Sequence, residues 1–141
     1  MPAEIAGGPA EFVARLLAAT NAHQLDALAA CFAEDYANET PAHPSRGFRG
    51  RAQVRLNWEQ IFASVPDLTA LVVRQALDDQ TAWVEWEMHG TRLDGAPHAM
   101  RGVTVFGVVD GEAAWARFYL EPVDDDDRTV DEAIRRTLGV R

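Results

Sequence analysis

The segment TAWVEWEMHGTRLDGAPHAMRGVTVFGVVDGEAAWARFYLEP, residues 81–122, carries most of the architectural information in this chain. Within it, 81–91, 99–109 and 113–120 are rich in β-branched and aromatic residues and alternate with a period of two, as strands buried on one face do. Asp94-Gly95 and Asp110-Gly111 stand between them, and both pairs tolerate the positive φ angles that tight hairpin turns need. The stretch 68–77 reads the same way and reaches residue 81 through Asp78-Asp79. Links this short join neighbouring strands in antiparallel order, so the spacing predicts a meander of four antiparallel strands.

Toward the N-terminus the period becomes helical. Pro9 suits an early helical position, and Phe12, Val13, Leu16 and Leu17 form one apolar stripe. After a polar break at 21–23, Leu25, Leu28, Ala29 and Phe32 recur at i, i+3, i+4 and i+7, predicting a second, short helix. Pro41, Pro44 and Gly47 mark a loop. Val54, Trp58, Ile61 and Phe62 share a face of a third helix, which Pro66 ends. Helices first and a meander afterwards is an α+β order, with the helices packed on one face of the sheet. Toward the C-terminus the acidic run 124–127 reads as solvated chain. Thr129-x-x-Glu132 then matches a capping box, and Val130, Ile134 and Leu138 share a helical face closed by Gly139. The organisation expected is one domain over 1–123 and a linker with a terminal helix over 124–141. The apolar face of that helix calls for a surface, on its own barrel or on a second subunit.

Composition narrows the function. The net charge is −9, from 13 basic and 22 acidic residues, and no stretch is rich in Lys or Arg, so nucleic acid and anionic membrane are poor partners. No segment approaches the roughly 18–20 apolar residues needed to cross a bilayer. Residues 1–8 lack the charged start and apolar run of a secretory leader, and the expected location is cytoplasmic. Cys31 is the only cysteine and shares an apolar stripe with Leu28 and Phe32, which reads as a small core residue. His23, His43, His89 and His98 include no i, i+4 pair and have no cysteine partner, so no metal is expected. Ser45 and Ser64 lack a Gly-x-Ser-x-Gly context, so a nucleophilic triad has no footing; no phosphate-cradling glycine loop is present, and no cofactor is expected.

Strand parity sorts the remaining polar residues. Ala114, Ala116, Phe118 and Leu120 alternate with Trp115, Arg117, Tyr119 and Glu121; Val84, Trp86 and Met88 alternate with Trp83, Glu85, Glu87 and His89. If the apolar sets face the helices, Trp86, Met88, Thr104, Phe106 and Phe118 line the interior. Glu85, Glu87, Arg101 and Arg117 then share the outer face, where opposite charges on neighbouring strands pair. The opposite assignment turns Glu87 and His89 into an apolar cavity, where burial raises a carboxyl pKa and makes it a useful acid or base.

A set of short motifs runs in a fixed order over roughly residues 9–122. Phe32-x-x-Asp35-Tyr36-x-Asn38 is followed by Phe48-x-Gly50 at a helix start and Phe62-x-x-x-Pro66-Asp67; later come Val105-Phe106, Asp110-Gly111 and Arg117-Phe118-Tyr119-Leu120-Glu121. This ordered set resembles the SnoaL-like proteins of the nuclear-transport-factor-two-like superfamily, which include polyketide cyclases and are related to limonene epoxide hydrolases and ketosteroid isomerases. The resemblance implies a cone-shaped, curved antiparallel sheet wrapped on N-terminal helices, with a pocket between the two. It also implies a homodimer through the outer sheet face. Tyr36 and Asn38 match the Tyr-x-Asn pair with which the epoxide hydrolases hold a water. The principal acid/base aspartate of cyclases and epoxide hydrolases falls on Phe118, and the cyclase histidine falls on Thr104. The arginine and aspartate that assist the epoxide hydrolases fall at Glu85 and Glu87 or at Trp86 and Met88, and on either alignment the arginine is missing. The mechanisms known in the family therefore do not carry over.

The function expected is a cofactor-independent acid–base enzyme, of isomerase, cyclase or hydratase/hydrolase type, acting on a small hydrophobic metabolite. The alternative is a dimeric binding protein for an apolar ligand. The ligand site is expected to include Tyr36, Asn38, Trp58, Trp86, Met88, Thr104 and Phe118, with Tyr36 and Asn38 as its polar anchors. Glu87, His89 and Tyr36 are the catalytic candidates.

Overall fold

The computed structural model describes residues 7–140. Residues 1–6, most of the stretch read above for a leader, lie outside the described residues. Helix α1 (Pro9–Asn21) carries Pro9 in its first turn and buries Phe12, Val13, Leu16, Ala19 and Thr20 on one face. Its C-terminal end is pinned to the sheet: Asn21 accepts the Ala70 N–H at 2.7 Å and donates to the Ala70 carbonyl at 2.9 Å. The His23 ring stacks on Phe62 at 4.4 Å and lies 2.8 Å from the Leu68 carbonyl. The polar break after α1 is thus a joint between helix and strand.

Helix α2 (Leu25–Ala29) is shorter than its apolar spacing predicts, and Phe32 is not part of it. The Ala113 N–H takes the Cys31 carbonyl at 2.8 Å and draws the chain into the sheet, so Phe32 opens strand β1 (Phe32–Glu39). Strand β2 (Phe48–Arg49) pairs antiparallel with β1, placing Asn38 opposite Phe48. Gly50, at φ 101°, turns the chain into helix α3 (Arg51–Ser64) while its N–H bonds the Tyr36 carbonyl at 2.7 Å. Cys31 is buried in the core, as its stripe predicts.

Strands β3 (Thr69–Asp78), β4 (Thr81–Thr91), β5 (Pro97–Val109) and β6 (Glu112–Pro122) form the expected antiparallel meander. The turn before β6 has Asp110 at φ 51° and Gly111 at φ 81°, the double positive φ its sequence suggests. The full sheet has six strands in the order β2-β1-β6-β5-β4-β3, and β1 runs parallel to β6. The sheet is therefore mixed and open, which corrects the purely antiparallel expectation. Its curved inner face, with α1 and α3 against it, makes the α+β cone.

Helix α4 (Val130–Leu138) begins with the predicted capping box and ends at Gly139, φ 71°. Val130, Ile134 and Leu138 are exposed, so no described part of this chain covers that face. No described helix is long and apolar enough to cross a membrane.

Candidate functional site

Burial settles which face of the meander looks inward. On β4, Ala82, Val84, Trp86 and Met88 are buried, and the residues between them are less so. Register carries the inner face across: Met88 pairs with Met100, Thr104 with Phe118, and Asn38 with Ala116.

The inner face closes differently at its two ends. At one end Phe12 of α1 packs edge-on against Phe106 at 5.0 Å, and Phe106 against Trp86 at 6.2 Å. Trp86 spends its indole N–H on Thr104 Oγ1 at 3.1 Å, and both side chains are buried in this cluster. The two residues face inward as expected but lie beneath the cavity, filled over by α1, and are not on its wall.

At the other end α3 stands off the sheet and leaves a cavity of about 560 Å³, a size suited to one small organic molecule. Phe32, Val54, Trp58, Ile61, Met88, Met100, Phe118 and Leu120 give it an apolar wall. Of the residues assigned to a ligand site from sequence, Tyr36, Asn38, Trp58, Met88 and Phe118 are on this wall. The Tyr36 hydroxyl donates to Asn38 Oδ1 at 2.7 Å. Burial pushes the Tyr36 phenol well above its ordinary pKa, so it stays a neutral donor. With Oδ1 occupied, Asn38 offers its Nδ2 amide hydrogens, of which one makes a long contact of 3.5 Å to Thr40 Oγ1.

The strap between β1 and β2 closes one side of the cavity. His43 N–H bonds the Thr40 carbonyl at 2.8 Å, and the Arg46 N–H bonds the His43 carbonyl at 2.9 Å through a short 3₁₀ turn, Pro44–Arg46. His43 Nε2 lies 3.1 Å from Glu121 Oε1 and ties the strap to the end of β6. Thr40, Arg46 and Glu121 all contribute to the cavity wall.

Glu87 and His89 do not reach this cavity. They point to the outer face, where His89 Nε2 is 3.1 Å from Glu87 Oε1 and Arg101 Nε is 3.6 Å from Glu87 Oε2. Glu85 pairs there with Arg74 at 2.9 Å. The parity that buries Trp86 and Met88 excludes Glu87 and His89 from the same side of β4, so the inverted assignment does not hold.

The imidazole that does reach the cavity is His98, opposite Gly90 at the start of β5. It also lines a cleft of about 450 Å³ with Gln60, Ile61 and Leu93, so it stands where the cavity meets the β4–β5 hairpin. Sequence reasoning passed over it, though counting back by twos from Thr104 through Met100 arrives at it. Arg46 was passed over as well, and no local pattern marks it.

No curated protein sequence matches the chain. Among solved structures, a ketosteroid isomerase-like protein from Catenulispora acidiphila, in complex with trimethylamine, superposes with a TM-score of 0.68 at 17% identity, covering 95% of each chain. An NTF2-like protein of unknown function from Exiguobacterium sp. 255-15 gives 0.65 at 15% identity over 82% of this chain and 99% of its own. A candidate polyketide cyclase from Sinorhizobium meliloti gives 0.61 at 21% identity over 79% and 94%. At these identities the likeness is one of fold. The sequence profile of the SnoaL-like domain matches residues 13–116, from the first helix to the inner residues of the last strand, and the chain belongs to that family.

Proposed function

We propose that the cavity under α3 takes one small hydrophobic organic molecule and transforms it by acid–base chemistry without a cofactor, with His98 moving the proton. The observation that carries this reading is the presence of one imidazole on an otherwise mostly apolar wall. Imidazole exchanges protons near neutral pH. Asn38, its amide oriented by Tyr36, supplies a donor to a ligand oxygen. Phe118 occupies the inner position opposite Thr104, the position on which the family resemblance places the acid, so this chain needs another proton-handling group.

The test begins with native mass spectrometry of the purified protein to detect a bound molecule, followed by isomerase, cyclase and epoxide substrate panels. A positioned acid or base is worth about 10²–10⁴-fold in rate. His98→Ala should therefore lose turnover by that factor and keep ligand affinity. Turnover that survives this change contradicts the assignment.

A second reading is favoured by the state of the other polar groups. Glu121 is engaged by His43, and Tyr36 is held as a donor. A non-catalytic binding protein would carry an unmodified stoichiometric ligand and form no product. In either case we propose a homodimer through the outer sheet face. Trp83, Trp115 and Tyr119 are exposed there beside the Glu87–Arg101 pair, an apolar surface of the kind that subunits cover.

A further inference from the structure

Two hydrogen-bond donors, Asn38 and Arg46, are on the cavity wall. Tyr36 occupies Asn38 Oδ1, which turns the Nδ2 hydrogens into the group Asn38 has to offer. Arg46 adds a guanidinium, exposed on the strap and on the same wall. Its backbone is fixed by the turn bond to His43, and the strap is fixed in turn by the contact between His43 and Glu121.

Several arginines are matched to acids, Arg51 to Glu112, Arg74 to Glu85 and Arg117 to Glu39, whereas Arg46 lines the cavity. Arg46 has no hydrogen-bond or ion-pair partner side chain among the described residues, in a chain with 22 acids against 13 bases. Glu121 is also on the cavity wall, with its Oε1 3.1 Å from His43 Nε2. A guanidinium fork and a primary amide on the wall of one mostly apolar cavity match the planar, acceptor-only carboxylate.

We propose that the natural ligand is a small hydrophobic carboxylic acid, bound as its anion with the carboxylate on Arg46 and Asn38 and the apolar body against Trp58, Met88 and Phe118. This rests on the reading that the cavity takes a small apolar molecule. It adds the charge of that molecule and the direction in which it lies.

The test compares two ligands with the same ring system by isothermal titration calorimetry: 2-naphthoate and its neutral counterpart 2-acetonaphthone. The wild type should prefer the carboxylate by about tenfold, as a charge-assisted hydrogen bond at a partly solvated site would give. Arg46→Gln should abolish that preference and change the affinity for 2-acetonaphthone by less than about twofold. Arg46→Lys should keep part of the preference, because the charge remains and the fork is lost. Equal affinities in the wild type, or a preference that survives Arg46→Gln, would overturn the carboxylate assignment while leaving the apolar cavity standing. Failure of both ligands to bind the wild type would overturn both readings.

Discussion

The indole N–H of Trp86 donates to Thr104 Oγ1 at 3.1 Å across neighbouring strands, with both side chains buried. The two inward positions are thereby locked to each other, and neither is among the residues that line the cavity. Thr104→Val keeps the shape and orphans a buried donor, which costs about 1–3 kcal/mol. Chemical denaturation should show a loss in that range for Thr104→Val and a smaller one for Thr104→Ser, which retains the oxygen. An unchanged midpoint for Thr104→Val would mean that the indole N–H is satisfied elsewhere.

Glu87 and His89 sit on the opposite face of β4 from Met88, and their contacts are with each other and with Arg101. Exposed ion pairs of this kind contribute roughly 0–1 kcal/mol. Glu87→Gln and His89→Ala should leave the affinity for 2-acetonaphthone within about twofold of wild type. A large loss in either variant would place that side chain in the cavity and reverse the face assignment.

Asp67 anchors the end of β4 that leads into the His98 hairpin. Its Oδ1 accepts the Thr91 N–H at 2.7 Å, and this backbone bond is the main reason the Asp67 carboxyl is held below its usual pKa. A depressed folded-state pKa stabilises above the unfolded value, about 3.9 for aspartate, and that contribution is lost as pH falls through the folded value. Thermal melts of wild type and Asp67→Asn should differ by a constant amount above about pH 5, and the gap should narrow below about pH 4. A gap that persists unchanged to pH 2 would show that the carboxylate charge plays no part.

Sedimentation equilibrium should give a dimer at micromolar concentration. Trp83→Glu should shift it toward monomer, because the new charge falls on an exposed part of the outer face, away from the cavity. A monomeric wild type would contradict the dimer.

How much of this was legible beforehand differs from element to element. The hairpins were, because Asp94-Gly95 and Asp110-Gly111 are local signals for local turns. Strand β1 was only half visible: Phe32 also continues the spacing of α2, and the parallel pairing of Glu39 with Arg117 joins residues far apart in sequence. Parity placed Trp86 and Thr104 on the correct face, but parity carries no information about depth. It is Phe12, arriving from α1, that buries that end of the cone. His98 follows the same alternation as Met100 and Thr104, yet Pro97 and the nearby turn make its position read as hairpin end instead of strand. Arg46 leaves no pattern at all, since its meaning depends on Glu121 being engaged by His43 from another part of the chain.

The central claim, that the space between α3 and the inner sheet face is the ligand site, is tested most directly by the methyl resonances of Met88 and Met100. These two side chains meet across β4 and β5 on the cavity wall. With ¹³C-methyl methionine labelling and a titration of 2-acetonaphthone, both methyl signals should move saturably with one shared affinity. The indole N–H signals of Trp83 and Trp115, on the outer face, should stay in place. Movement of the Trp83 and Trp115 signals with both methionine methyls unmoved would put the ligand outside the cone and contradict the account.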